Sequence, residues 1–460
     1  MRRMRRGAVL LGLVFLLQPG GSAAEAPREE DISDGPAAAA PPDAVVNPPA
    51  LGPSPRWGYL MRLEGATLAL LPRQGAGEDA GYLQVTPMLV AELGEDFGVN
   101  LGAPLRVRLW GGDGGWVRRE DWDSLSDFGQ MVRALKLGSD NAPLGVWLGA
   151  LERYSLLSAH LVRRYSNRAN PDYHPAGALL TGWWAPLYVE AFTSDMLGAR
   201  LMGAEVEVDV EHVLFGRPKQ RQRYTLSLSA VHEWGKTGGA SPAMTLAHLD
   251  TAAVVLVRPG YELHVLAGWG GRPGDGGAWG AVAGVGADSH TPTRVMTLRL
   301  EARRQHGGFR QAFFGPDYEV GRFLAAGFAG VPLALAPFPD GYSAYGEAAV
   351  TWDAEALGGV LQRHLDFALG AEAFTWGRVD VDGRAAVQLF HRRLEVAVEG
   401  LAVGLGQPGP RYLVSGEARW RFAGKLYALA SGGTLLFPEA GGTLRSGAFA
   451  SFGLGVDHAR

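Results

Sequence analysis

The 460-residue chain contains no cysteine, which excludes a disulfide-stapled secreted scaffold and any cysteine-ligated zinc or iron-sulfur centre. Lysine is nearly missing: of 43 basic residues only Lys136, Lys219, Lys236 and Lys425 are not arginine, so a basic surface here consists of guanidinium forks. Mean hydropathy is −0.01, too low for a bundle of membrane helices. A basic excess is lacking too. Net charge is −4 and the pI is near 6.3, which leaves no footprint for nucleic acid, and no such partner is expected. The 66 glycines follow no three-residue period, so collagen is excluded. What is present is 47% hydrophobic and 20% charged residues, a balance that supports an ordered core. One kind of membrane protein passes all these tests, a β-barrel whose strands are apolar on one face only.

Arg2, Arg3, Arg5 and Arg6 precede an apolar stretch from Ala8 to Leu17, and Ser22-Ala23-Ala24 offers a small-residue cleavage pattern. Together they predict a secretory signal peptide over 1–24. Residues 25–56 are rich in Pro and Ala and are expected to form a disordered leader. No Cys follows the signal, so a lipoprotein anchor is excluded. The barrel domain is expected over 57–460.

From Trp57 onward the pattern alternates with period two. Glu205, Glu207, Asp209 and Glu211 oppose Val206, Val208 and Val210; Arg299, Glu301 and Arg303 oppose Leu298, Leu300 and Ala302; Arg106 and Arg108 oppose Leu105, Val107 and Leu109. Glu395 and Arg419 sit on the polar sides of two later runs. These eleven residues are the expected lumen lining. A water-soluble sandwich also alternates, but its strands are commonly five or six residues. The longer runs here reach roughly nine to twelve, the length that crosses an outer membrane at a tilt. Trp110, Trp234, Trp269, Trp352 and Trp376 near run ends suit the aromatic girdles. The expected fold is all-β: one large transmembrane antiparallel β-barrel of about 16 to 18 strands in the cell outer membrane, with one short amphipathic helix in a loop.

Two stretches interrupt the alternation. In the first, Ser124 to Asp127 resembles a capping box, and Leu125, Phe128, Met131, Val132 and Leu135 recur at helical spacing, predicting a helix over 124–137. It either folds into the bore, with Asp121, Asp123 and Asp127 toward water or a cation, or rests on the rim. The second, Gln305 to Ser343, carries Arg310, Phe313 and Phe314 among many aromatics. It is either a loop collapsed over the barrel mouth or a face on which sugar rings stack. The carboxylates lack EF-hand spacing, and no metal or cofactor is expected. Ser158 and His160 lie two apart and are the only pair on which an outer-membrane hydrolase is worth testing; without a spacing signature the chain is expected not to be an enzyme.

Asp121-Trp122-Asp123, Ser126-Asp127-Phe128, His160-Leu161-Val162-Arg163-Arg164-Tyr165-Ser166-Asn167 and Glu190-Ala191-Phe192-Thr193-Ser194-Asp195-Met196 form a block, within Arg118 to Val210, that resembles poorly characterised outer-membrane barrel proteins of Gram-negative bacteria. The arginine-rich composition and length also resemble the barrel partners of myxobacterial polysaccharide-export systems. These resemblances imply a single-chain barrel, outer-membrane lipid and the barrel-assembly machinery as partners, and a periplasmic polysaccharide-export protein as a further one. They carry over no catalytic residue. The expected function is a conduit for hydrophilic solute or polymer, in the leading reading polysaccharide export. The alternative is a plugged structural or adhesive barrel without transport.

Overall fold

The computed structural model describes residues 58–459 apart from 73–79, 94–95, 112–114, 139–141, 199, 217–223, 236–242, 275–276, 292, 326–337, 354–363, 391–392 and 439–443. The expected signal peptide and leader lie outside the described residues. The strands begin β1 (Gly58–Pro72), β2 (Ala80–Leu93), β3 (Phe97–Gly102), β4 (Leu105–Trp110), β5 (Val132–Leu137), β6 (Leu144–Gly149) and β7 (Gly177–Trp184). They continue as β8 (Leu187–Thr193), β9 (Leu201–Asp209), β10 (Tyr224–Glu233), β11 (Met244–Arg258), β12 (Tyr261–Gly271), β13 (Trp279–Thr291) and β14 (Arg294–His306). The wall finishes with β15 (Gly341–Asp353), β16 (His364–Phe374), β17 (Val379–Leu389), β18 (Leu394–Leu405), β19 (Arg411–Ala423), β20 (Leu426–Pro438) and β21 (Leu444–Ala459). Two short helices, α1 (Val210–Phe215) and α2 (Tyr318–Ala325), lie in connections.

Sequential strands pair antiparallel, and β21 returns to β1 over a register running from Leu60 opposite Ala459 to Pro72 opposite Gly447. The wall is therefore a closed barrel. β3 and β4 both pair with β2, and only β3 goes on to pair with β5. Between them stands Pro104, which has no N–H to give to a ladder. The barrel thus has twenty staves plus the extra strand β4. Twenty exceeds the expected 16 to 18 because several turns are minimal, such as the two residues between β11 and β12.

Each strand divides its side chains between lipid and lumen. On β1 Met61 and Leu63 are exposed while Arg62 and Glu64 point inward to Asp457 and Tyr427; on β10 Leu226 and Leu228 are exposed and Ser227 and Ser229 buried. Trp110, Trp234, Trp269 and Trp352 stand exposed on the outside, whereas Trp376 packs on Phe374 and Phe338 and is no girdle residue. An apolar exterior round a polar interior is stable only with hydrocarbon outside. The protein is an outer-membrane β-barrel. Among the described residues no helix is long and apolar enough to cross a membrane.

The expected helix over 124–137 is largely replaced. Only Leu125–Met131 winds, as a 3-10 turn, and Val132–Leu137 is β5. The capping box is real, since Ser124 N–H and Oγ both donate to Asp127 Oδ2 at 2.9 and 2.6 Å. Beyond Met131 the open edges of β3 and β6 capture the chain, and tertiary pairing overrides helical spacing.

Candidate functional site in the bore

Long connections leave the barrel at the end opposite to the two ends of the wall, the extracellular end by the rule for such barrels. Two of them turn inward and meet. The chain between β6 and β7 folds into a tight hairpin in which Tyr154 and Tyr165 exchange backbone hydrogen bonds at 2.9 and 2.7 Å. The chain after β14 lies against it: Ala312 N–H donates to His160 O at 2.7 Å, Phe314 N–H to Leu161 O at 3.1 Å, and Arg163 N–H to Phe314 O at 3.1 Å. The two segments form a plug. Arg153, Ala159 and Arg164 adopt left-handed φ of 54°, 59° and 49°, a strain of about 1–3 kcal/mol each that persists only where surroundings fix the backbone.

What fixes it differs on the two sides. Toward β7 to β11 the plug is apolar: Leu156, Leu161, Val162, Phe309 and Phe314 are buried against Leu179, Phe192, Leu201, Val231 and Leu246 of the wall. Such a core excludes water and holds firmly. Toward β14 to β19 the contacts are ionic. Arg163 pairs with Glu347, Arg164 with Glu347 at 2.7 Å and Asp382 at 2.5 Å, and Arg310 with Asp380 at 2.8 Å. Both Arg163 and Arg303 lie over the Tyr345 ring, 3.9 and 4.2 Å from its centroid. A crevice opens on this side, bordered by Arg163, Arg164, Arg310, Tyr345, Asp380 and Asp382. Gly370 faces it where a Cβ would come within 2.6 Å of an Arg164 guanidinium nitrogen, so a larger residue would push the pair aside.

A relay ties plug to wall at depth. His160 Nδ1 and His248 Nδ1 donate to the two oxygens of Asp250 at 2.5 and 2.8 Å, and Arg299 donates to His160 Nε2 at 2.7 Å. The same three residues have the spacing of a metal-ligand set. The Arg299 bond, however, requires the proton on His160 Nδ1, so this geometry suits a hydrogen-bonded relay. Glu301 is the hub beside it, facing Arg299, Arg303 at 2.6 Å and Arg163 at 3.6 Å.

Burial pushes the Tyr154 hydroxyl far up, and the Glu190 carboxylate, to which it donates at 2.5 Å, adds to the effect. Arg168, pulled down to about 10 by burial against the opposing pull of Glu152, donates to the carbonyls of Pro175 and Gly129. Asp317 in the plug would be raised by burial, but Arg411, Arg310 and Arg378 outweigh it and hold the carboxyl low. Its contribution to docking is therefore present above the ordinary carboxylate range and lost as acid protonates it. The Asp317 contribution to plug docking should stay constant from neutral pH to about pH 4 and weaken below it, read as a rise in bilayer conductance on acidification below that pH which Asp317→Asn lacks; the same rise in Asp317→Asn would contradict this.

Of the sequence-derived residues, Glu205, Glu207, Asp209, Arg299, Glu301, Arg303, Glu395 and Arg419 lie on wall strands and Arg106 on the extra strand β4, and all are buried or half-buried. Arg108 is half-buried with its guanidinium over Tyr82. Glu211 leaves the wall: Asp209 accepts from His212 N–H at 2.9 Å, capping α1, and Glu211 falls on that helix. Asp121 and Asp127 face the interior, Asp121 between Arg106 and Arg118, and only Asp123 is exposed. Arg310, Phe313 and Phe314 belong to the plug. The described first part of the second interruption, through Tyr318, therefore enters the bore instead of merely covering its mouth. Ser158 Oγ donates to Glu205 and His160 to Asp250, so they are aimed at different carboxylates and do not form a nucleophile-base pair. Sequence reasoning missed Arg163, Arg164 and Tyr345; the Arg163-Arg164-Tyr165 stretch of the resembling block was the signal.

No protein-family model and no curated protein matches the chain. Solved structures similar to it include a BenF-like porin from Pseudomonas fluorescens Pf-5, at 10% identity over 87% of this chain and 98% of that one, with a TM-score of 0.34. OccAB4 of Acinetobacter baumannii is similar at 9% identity over 87% and 98%, TM-score 0.36. Wzi, an outer membrane protein involved in group 1 capsule assembly in Escherichia coli and a carbohydrate-binding β-barrel, is similar at 12% identity over 86% and 84%, TM-score 0.32.

Proposed function

We propose that the protein is a constricted conduit for a hydrophilic solute or polymer, without catalytic activity, and that the path runs along the ionic side of the plug. The observation that carries this reading is the asymmetry of the filling: an apolar seal toward β7 to β11, and a crevice of arginines and carboxylates toward β14 to β19. Alternating donors and acceptors offer a hydroxyl-rich chain many weak contacts, which a passage needs in order to release what it binds. A polysaccharide is the leading cargo, in line with the resemblance to polysaccharide-export barrels, and a periplasmic export protein would then meet the short-turn end. The plugged structural or adhesive barrel is the second reading, favoured by the size of the buried apolar core. Planar-bilayer recording separates them. The conduit predicts small conductance steps whose anion preference drops about two- to threefold in Arg164→Ala with Arg310→Ala, because two guanidiniums leave the path; a silent wild type would favour the scaffold.

A further inference from the structure

One side of the wall is too short to cross a bilayer. About nine to eleven residues are needed for a tilted strand; β5 and β6 have six each, whereas β1, β11 and β21 have 15, 15 and 16. Among the described residues β4 gains no strand partner on its outer edge. Residues 116–118 lie there instead, with Arg108 N–H donating to Trp116 O at 2.7 Å and Arg118 N–H to Arg106 O at 3.0 Å. From that point a 3-10 turn at Arg119–Asp121 and the one at Leu125–Met131 lead down to β5.

This stretch has two faces, like the strands it replaces. Trp116, Val117, Leu125, Phe128 and Met131 are exposed, from 47% to 83%, while Arg118, Asp121, Ser126, Asp127 and Gln130 are 5% exposed or less. Its grip on the interior is polar throughout. Ser126 Oγ donates to Asp195 at 2.5 Å, His174 N–H to Asp127 at 3.0 Å and Arg168 to Gly129 O at 3.1 Å, while Arg106 and Arg118 share Asp121. None of its residues belongs to the apolar clusters of the bore. Water can replace hydrogen bonds of this kind at small net cost, whereas buried apolar area cannot be so replaced. Gly111, at a φ of 67°, gives the chain a left-handed corner where it leaves β4.

We propose that residues 116–131 are a lateral stopper, and that the window it closes connects the bore with the outer leaflet for an acylated amphiphile, its chain in the bilayer and its polar head at Arg106 and Arg118. This extends the conduit reading to a cargo bearing an acyl chain, and it is tested without recording axial conductance, so the two fail separately.

Because the chain has no cysteine, each introduced thiol is unique. The full chain is placed in phosphatidylcholine vesicles and its folding checked by heat-modifiable gel mobility. Leu125→Cys carrying bimane should be quenched by brominated phosphatidylcholine; an unquenched probe means that the stretch stands outside the bilayer, and the proposal fails. Ser126→Cys, on the inner face, should react with a dodecyl-chain maleimide about tenfold faster once Asp127→Ala removes the acceptor for His174 N–H. Arg168→Met, which frees Gly129 O, should give the same gain and serves if the first variant does not fold. No gain in either, or an equal gain with a charged water-soluble maleimide, overturns the window, the latter because it shows opening to water.

Discussion

Replacing residues 152–174 by a short Gly-Ser linker should turn a nearly closed barrel into one with large conductance steps, about tenfold or more above wild type, since about twenty strands enclose an aqueous bore once unfilled. The wall should survive, because the β1–β21 closure and the ladders from β7 onward involve none of the deleted residues. The second plug segment should loosen as well, because its backbone partners His160, Leu161 and Arg163 are removed. By contrast, deleting 115–141 removes β5, to which β3 and β6 are paired. That variant should fail to close and should yield no heat-modifiable band, whereas the plug deletion should yield one. If both assemble and only the 115–141 deletion conducts, the plug has been misidentified.

The second large effect is expected at Glu301. Its carboxylate is buried among Arg299, Arg303 and Arg163, with His160 Nε2 3.5 Å away. Glu301→Gln keeps the shape and removes the charge, leaving the Arg299 guanidinium without its carboxylate in a region that water hardly reaches, while Arg303 keeps Glu372 and Arg163 keeps Glu347. Breaking such a buried set costs on the order of 3–5 kcal/mol. Guanidinium chloride unfolding of the vesicle-embedded protein should show a clearly lowered midpoint, with the plug still held by Glu347, Asp382 and its apolar side. Asp340→Asn is the control: it breaks a contact with His306 in which both side chains are over 40% exposed, and exposed pairs contribute little. Equal effects at the two positions would show that Glu301 is better hydrated than its burial implies.

The wall was readable because period two is a property of consecutive residues. Glu205, Glu207 and Asp209 alternate with valines on β9, and the structure turns one set inward and the other out. The plug was not readable for the opposite reason. Between Leu151 and Ala176 no period exists; Arg163 and Arg164 look like a solvated pair in sequence, and they are buried only because Glu347 and Asp382, some two hundred positions away, meet them. Long-range pairing also decided the fate of 124–137. Its capping box acts locally and survived, while the residues after Met131 were taken by strand edges that no local pattern announces.

The seam between β1 and β21 sets an order of events. Arg62 meets Asp457 across 395 positions, so the last stave must be in place before the circle closes. Until then both edge strands expose unpaired backbone, the most aggregation-prone condition a sheet can have, and contacts of such sequence separation form slowly. The plug segments lie in the middle of the chain, tethered to neighbouring staves on both sides. Their apolar core with β7 to β11 needs only residues 151–318, and so can form in the still open sheet. Filling the bore thus need not wait for the ring to shut, and a half-built wall curled around its own plug offers the two free edges to each other at a far shorter distance than an empty sheet would.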